Sequence, residues 1–428
     1  MNKSRKRLYK IPILGFMAII LIGAIILKLP ACNTKPIPFI DSLFISTSGV
    51  CVTGYTPLVL SEQLTWIGQL VLLLLVQVGA LGFMTFIIFI ATIIKKRINF
   101  SDIMLVEDGD VNANFRDRVK HIVKYTFIIE IIGGALLSLR FVPQFGWKKG
   151  LWYGIFHSVM AFCNAGFDIL GDKSFMNYTN DYFVNFVMMF LIIFGGMGFL
   201  VLEDLINAWK LKTLKKLKLQ SKIVLSATGI LLIVSILLIK ALEPNLTWLQ
   251  AMFSAVTLRT AGFYTINFAK CNQATKMISI ILMFIGGAPD STSGGIRIVT
   301  FSVLMLAIIA TLKNRKEVVV FYRKIPESTI MKAITITGLS LFVVFIGTIT
   351  LSFFNNLGLG NIIFHCVGSY SNTGLGIIDT SMLNFIGKIT IIILMFIGRV
   401  GPLVAFRVFF DTNEANSNVK YINGDLIL

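Results

Sequence analysis

Residues 46–55, STSGVCVTGY, decide the fold, because they return in altered form at 161–170 as AFCNAGFDIL, at 257–266 as TLRTAGFYTI and at 369–378 as SYSNTGLGII. Their shared glycines, Gly54, Gly166, Gly262 and Gly374, are spaced by 112, 96 and 112 residues, a period that marks an internal repeat. About twelve semi-apolar residues precede each glycine, too few to cross a bilayer core that needs about 20 residues of helix. Longer apolar runs flank them. In the first unit a long run at 11–29 is followed by a short one at 40–47, the glycine segment at 52–55 and a second long run at 64–94. The reading is span, dip, span. Repeated four times, it predicts an all-α polytopic membrane protein with eight full spans and four re-entrant dips. The units fall at 1–98, 99–218, 219–327 and 328–428, the last including a cytoplasmic C-terminal tail. Two spans per unit return the chain to its starting side, so the copies are parallel and can close as a pseudo-fourfold set around a central pore.

Composition agrees. Of 428 residues, 56% are hydrophobic and 14% charged, and the mean hydropathy is +0.81, whereas soluble domains average about 45–50% apolar and about 25% charged. The net charge of +18 would direct attention to nucleic acid in a soluble chain. Its placement excludes that partner. The segments at 3–10, 95–124, 210–222, 313–332 and 407–420 hold 26 of the 39 basic residues and alternate with pairs of spans, which the positive-inside rule puts on the cytoplasmic face together with both termini. Residues 11–29 read as the first span rather than a signal peptide, since Lys28 and Pro30 interrupt any cleavage region. The lysines at 210–222 need no partner beyond the cytoplasmic loop and membrane lipid around it.

A dip is tolerated at membrane depth only where it is packed in protein or lines water. The stretches before the glycines read as short helices with Asp41, Thr247 and Asn361 as N-caps, aiming their negative C-terminal ends at the pore. Glycine then lets successive carbonyls turn inward. Val52-Thr53-Gly54-Tyr55 is close to the TVGYG of potassium channels, whose carbonyls replace an ion's hydration shell. The candidate filter is Val52, Thr53 and Gly54 with Asn164, Ala165 and Gly166, Thr260, Ala261 and Gly262, and Asn372, Thr373 and Gly374. Potassium is expected at the carbonyls of Thr53, Ala165, Ala261 and Thr373. Flanking residues differ between copies, so the filter should be shorter than a channel's.

In the third unit, residues 286–295, GGAPDSTSGG, interrupt what should be one span. Two glycine pairs and a proline free the backbone, and Asp290, Ser291, Thr292 and Ser293 bring polar atoms to mid-membrane, which predicts a loop exposed to the pore. Only this span is expected to be broken. Arg259, Arg297 and Arg399 lie in apolar or re-entrant segments, where an unpaired charge is costly. Spans starting near 275 and 384 would put Asp290 and Arg399 each 15 residues deep. Arg399 is therefore expected to pack on the loop and hold the pore shut, through Asp290 or through loop carbonyls. Arg259 is read as complementing the end of its short helix. Asp168 and Asp379 follow two filters, where a vestibule would concentrate cations.

With these stretches, VQVGALGFMTF from Val76, LIIFGGMGFLVLEDL from Leu191, FIGGAPDSTSGGIRI from Phe284 and FIGRVGPL from Phe396, the chain resembles the Ktr/Trk/HKT superfamily of potassium transporters, most of all its Ktr-type membrane subunit, over nearly its whole length. The resemblance implies potassium uptake at the cell membrane, homodimerisation, a cytosolic nucleotide-binding ring of the RCK/KTN type and stimulation by sodium. It also makes the stretch Gly286, Gly287, Asp290, Ser291, Thr292, Ser293, Gly294 and Gly295 an intramembrane gate below the filter, with Arg399 beside it.

Other chemistry is thin. Glu130 sits inside a span and reads as a structural pair with a neighbouring helix. The five cysteines form no CxxC pair, and His121, His157 and His365 are scattered, so no metal site, covalent cofactor or catalytic cluster is expected and the chain is not read as an enzyme. No phosphate-binding glycine motif follows a strand, so nucleotide control belongs to another chain. The alternative is an alternating-access secondary transporter using the broken 286–295 helix as its binding site. Fourfold parallel repetition disfavours it.

Overall fold

The helix at Leu219–Leu242 shows which solvent this chain is built for. It turns Ile230, Ile233, Val234, Leu237 and Leu238 outward while burying Ser221, Thr228 and Ser235 beside Ile223, Val224 and Ile239, whereas a helix facing water keeps its outer face polar. The computed structural model describes residues 2–82, 115–171, 173–210, 212–213 and 217–407. The end of the run at 64–94, most of the basic segment at 95–124 and the tail beyond 407 lie outside the described residues.

The first unit contains α1 (Asn2–Lys28), the short α2 (Phe39–Val50) and α3 (Trp66–Leu81). In the second are α4 (Phe115–Phe145), the short α5 (Trp147–Phe162), α6 (Tyr182–Gly196) and α7 (Phe199–Lys210). The third holds α8 (Leu219–Leu242), the short α9 (Trp248–Thr257), α10 (Gln273–Ile285) and α11 (Ile298–Leu312). A two-stranded hairpin, β1 (Val319–Val320) with β2 (Arg323–Lys324), leads to α12 (Glu327–Phe354), the short α13 (Leu359–Tyr370), α14 (Phe385–Val400) and α15 (Pro402–Arg407). Among the described residues, α4 over Val119–Phe145, α8 and α12 are each long and apolar enough to cross a membrane, and α6 with α7 makes a fourth candidate bent by 102°.

Each short helix packs on the long helix before it, α2 on α1, α5 on α4, α9 on α8 and α13 on α12. It also packs on the closing helix of the preceding unit: α5 on α3, α9 on α6, α13 on α10, and α2 on α14. The last of these contacts joins the end of the chain to its beginning. A buried ion pair reinforces it, Lys388 of α14 meeting Asp41 of α2 at 2.6 Å.

Three expectations need correction. Thr247 does cap α9, in a capping box with Gln250. Asp41 instead lies in the first turn of α2 behind Pro38, whose fixed extended backbone starts the helix and leaves the carboxylate for Lys388. Asn361 sits inside α13, which starts from Gly358. The third correction is larger: the break at 286 is not unique. The chain turns sharply at Gly198, and α3 and α14 end at Gly82 and Gly401, with φ of 88°, 80° and 91°. These positions belong to a Gly-x-x-Gly pair repeated in three units, Gly79/Gly82, Gly195/Gly198 and Gly398/Gly401.

Candidate functional site

The short helices end alike. After α2, α5 and α13 the chain takes one residue through the left-handed region, Val52 (φ 60°), Asn164 (56°) and Asn372 (54°), and two backward bonds close the turn. In the first unit these are Val52 N–H to Gly49 O (3.0 Å) and Thr53 N–H to Ser48 O (2.7 Å), and their counterparts follow α5 and α13. This is the Schellman closure, which favours glycine or asparagine at the left-handed position. The asparagine amides donate twice each: Asn164 to Ala161 O and Ile192 O (3.1 and 3.2 Å), and Asn372 to Met395 O (3.0 Å) and Thr53 Oγ1 (3.0 Å). A β-branched residue there costs about 1–2 kcal/mol, and Val52 bears it. The third unit leaves α9 differently, with Arg259 N–H on Val256 O, Ala261 N–H on Thr257 O and Thr260 at φ 76°.

The four glycines that follow are mutual neighbours in chain order. A Cβ placed on Gly54 would lie 2.5 Å from Gly166 N, and one on Gly166 would lie 2.6 Å from Gly262 Cα and 3.0 Å from Ala261 O. On Gly262 it would overlap the Thr373 carbonyl oxygen, and on Gly374 the Thr53 carbonyl oxygen. Four segments 96 or more residues apart thus meet backbone to backbone, and three of them, those of Thr53, Ala261 and Thr373, present carbonyl oxygens to the glycine that precedes them around the ring. Ala165 departs from this pattern, because its carbonyl accepts the Phe167 N–H at 2.7 Å. Beside the ring, Tyr55 stacks on His365 at 4.4 Å and donates its hydroxyl to Leu375 O, joining the first unit to the fourth.

The Gly-x-x-Gly pairs explain how the closing helices come so close. A Cβ on Gly79, Gly195 or Gly398 would overlap the carbonyl oxygen of Val50, Phe162 or Tyr370, the equivalent residue four before each ring glycine. Only a glycine fits. These glycines lie in the stretches from Val76, Leu191 and Phe396 that carry the family resemblance, but standing 25, 29 and 24 residues beyond the ring glycines they show no fixed spacing that would assign them a packing role.

Beneath the ring runs the 286–297 segment. Ala288 N–H donates to Gly196 O (3.0 Å), Phe199 N–H to Asp290 O (2.9 Å) and Thr292 Oγ1 to Phe162 O (3.4 Å), all in the second unit. Ser293 Oγ donates to the Asn164 amide oxygen at 2.9 Å. Gly294 faces the fourth unit, where a Cβ would overlap Ser371 O. Arg399, 9% exposed, donates from Nη1 to Thr292 O (2.6 Å) and from Nη2 to Gly79 O and Ala80 O. Of the two partners expected for it, the loop carbonyl is the one it meets, and the contact extends to the first unit. Arg297 folds back onto Ala288 O (3.1 Å).

This architecture has a recorded counterpart. The sequence model of the TrkH family, described as cation transport protein, matches residues 13–420. The chain belongs to that family. It is 38% identical to the Ktr system potassium uptake protein B of Bacillus subtilis, over 96% of this chain and 95% of the relative. It is also 36% identical to the potassium/sodium uptake protein NtpJ of Enterococcus hirae, over 100% and 99%. The crystal structure of the potassium transporter TrkH from Vibrio parahaemolyticus shares the fold at a TM-score of 0.74 and 18% identity, covering 94% of this chain and 85% of that one.

The acidic residues singled out from the sequence have local partners. Glu130, 5% exposed, accepts from Gln77 Nε2 at 3.0 and 3.2 Å across the boundary between units, with Cys163 Sγ 3.7 Å away, so it does pair with a neighbouring helix. Asp168 and Asp379 accept from the N–H groups of Leu170 and Ser381. His157 and His365 are less scattered than their numbers imply, since each stands nine residues before a ring glycine on a buried short helix. Among the described residues no group of His, Cys, Asp and Glu is placed to hold a metal, and the five cysteines are unpaired.

Proposed function

We propose that this chain is the membrane-embedded translocation subunit of a potassium uptake system, carrying the ion inward through a ring of carbonyls at Gly54, Gly166, Gly262 and Gly374. The observation that carries the reading is the cyclic meeting of these glycines in chain order. A potassium ion entering the ring exchanges water for the carbonyls of Thr53, Ala261 and Thr373 and for the second lone pair of Ala165 O, whose first is taken by the Phe167 N–H, helped by the negative ends of α2, α5, α9 and α13. No chemical step is needed, because an inside-negative potential supplies about 2.3 kcal/mol per charge per 100 mV.

Four span-dip-span repeats and eight spans account for the ring of contacts between short and closing helices, with both termini cytoplasmic by charge placement. Residues 286–295 act as the gate, and Arg399 holds them under the ring. The matched relatives, whose names specify potassium or potassium/sodium uptake, support potassium as cargo, and sodium as a modulator is what the Ktr resemblance implies. A homodimer served by a cytosolic nucleotide-binding ring fits the Ktr-like character of the sequence. The helix ends at Gly82, Gly198, Gly286 and Gly401 recur once in each of the four units rather than in two related halves, which supports a gated pore over an alternating-access carrier.

Rubidium and sodium uptake into proteoliposomes under an imposed inside-negative potential tests this function. Rubidium flux should exceed sodium flux and need no proton gradient. Flux that appears only with a proton gradient or an organic solute would favour the carrier.

A further inference from the structure

The third residue before each ring glycine is Cys51, Cys163, Arg259 and Ser371, so one unit alone carries a charge at this level. Arg259 is 7% exposed. Its guanidinium turns away from the short helix it follows and donates from Nη2 to Thr228 Oγ1 of α8 at 3.2 Å, while Nε has no partner. No carboxylate pairs with it among the described residues. It borders a cavity of about 10 Å³ between α6, α8 and α9, lined also by Ile192, Gly196, Leu232 and Val256, with room for one water molecule. The carbonyls at the end of α9 are therefore not what holds this charge, contrary to the sequence expectation.

A guanidinium does not give up its proton inside a protein, so a fixed positive charge stands behind the third filter segment. We propose that Arg259 sets the affinity of the carbonyl ring: it weakens cation binding there and thereby speeds release. The inference rests on the uptake reading above. The ends of α2 and α5 have Arg399 beside them on the side of the 286–295 segment, whereas α9 carries a cation of its own directly behind its negative end. At a separation on the order of 10 Å and an effective dielectric of about 20, one unit charge changes a binding constant by about tenfold.

The test is the rubidium dependence of uptake at fixed potential in wild type, Arg259→Gln, Arg259→Lys and Thr228→Glu, with size-exclusion profiles as the control for folding. Arg259→Gln should lower the KM for rubidium by about fivefold to tenfold and reduce the maximal rate. Arg259→Lys should keep the KM within about twofold of wild type because the charge remains. Thr228→Glu keeps the arginine but neutralises it, and should lower the KM in the same direction. A folded Arg259→Gln protein with unchanged KM, or a lysine variant shifted as far as the glutamine one, would overturn the proposal. If Arg259→Gln does not fold, Thr228→Glu decides, a lowered KM supporting the proposal and an unchanged one overturning it. Wild type without rubidium flux would overturn the uptake reading itself, whereas wild-type flux with unmoved KM values overturns this inference alone.

Discussion

The third unit and the other three differ in how the closing helix meets the short helix. In the first, second and fourth units a Gly-x-x-Gly pair presses the closing helix onto the carbonyl end of its own short helix, through Gly79 on Val50, Gly195 on Phe162 and Gly398 on Tyr370. The third unit has neither that pair nor the Schellman exit. Its closing helix opens at Gly286 into a segment that bonds to the second unit through Ala288, Asp290 and Thr292 and receives Arg399 from the fourth. Similarity among four units makes a ring, and the unit that departs from it carries the segment proposed as the gate.

Replacing a packing glycine should break the shared part most severely. Gly195→Val drives a branched side chain into Phe162 O, and overpacking against backbone should cost at least about 3 kcal/mol, seen as loss of the monodisperse peak in size exclusion. Gly229, with no atom near its missing Cβ, is the contrast. Gly229→Ala should leave the protein intact or slightly more stable.

Releasing the third unit should have a smaller effect of the opposite kind. Arg399→Ala removes charge-assisted bonds to Thr292 O and Gly79 O, each worth about 1.5–3 kcal/mol. If these bonds favour the closed position, rubidium flux should rise about tenfold or more at fixed potential. Unchanged flux in folded protein would show that the arginine only packs.

The smallest effect sharpens the comparison within the ring. Asn164→Val deletes two bonds to carbonyls and puts a β-branched residue at φ 56°, which should cost about 2–3 kcal/mol. Val52→Asn relieves the same strain, and should stay within about 1 kcal/mol of wild type as read by thermal unfolding.

What the sequence disclosed follows from the range of the interactions involved. The glycine period and the apolar runs around it are properties of the chain, and they placed Gly54, Gly166, Gly262 and Gly374 as one set before any coordinate. The depth argument brought Arg399 to the 286–295 loop because two helices of equal rise carry equal counts to equal depth. Helix starts were harder to see. Asp41 has the chemistry of an N-cap, but Pro38 starts α2 and Lys388, 347 residues away, takes the carboxylate. The helix ends at Gly82, Gly198 and Gly401 were missed because a glycine in an apolar run is locally silent. Its role appears only when the carbonyl it accommodates, Val50, Phe162 or Tyr370, is brought against it. Arg259 shows the same limit, its partner Thr228 being set by packing of α8 on α9.

The central claim is that four glycines from four units act as one filter. Its most direct test is the ratio of rubidium to sodium uptake, under a fixed inside-negative potential, in Gly54→Ser, Gly166→Ser, Gly262→Ser and Gly374→Ser beside wild type. A common ring predicts that wild type prefers rubidium and that each serine reduces the preference. Preference retained in all four folded variants, or lost in only one, would contradict it.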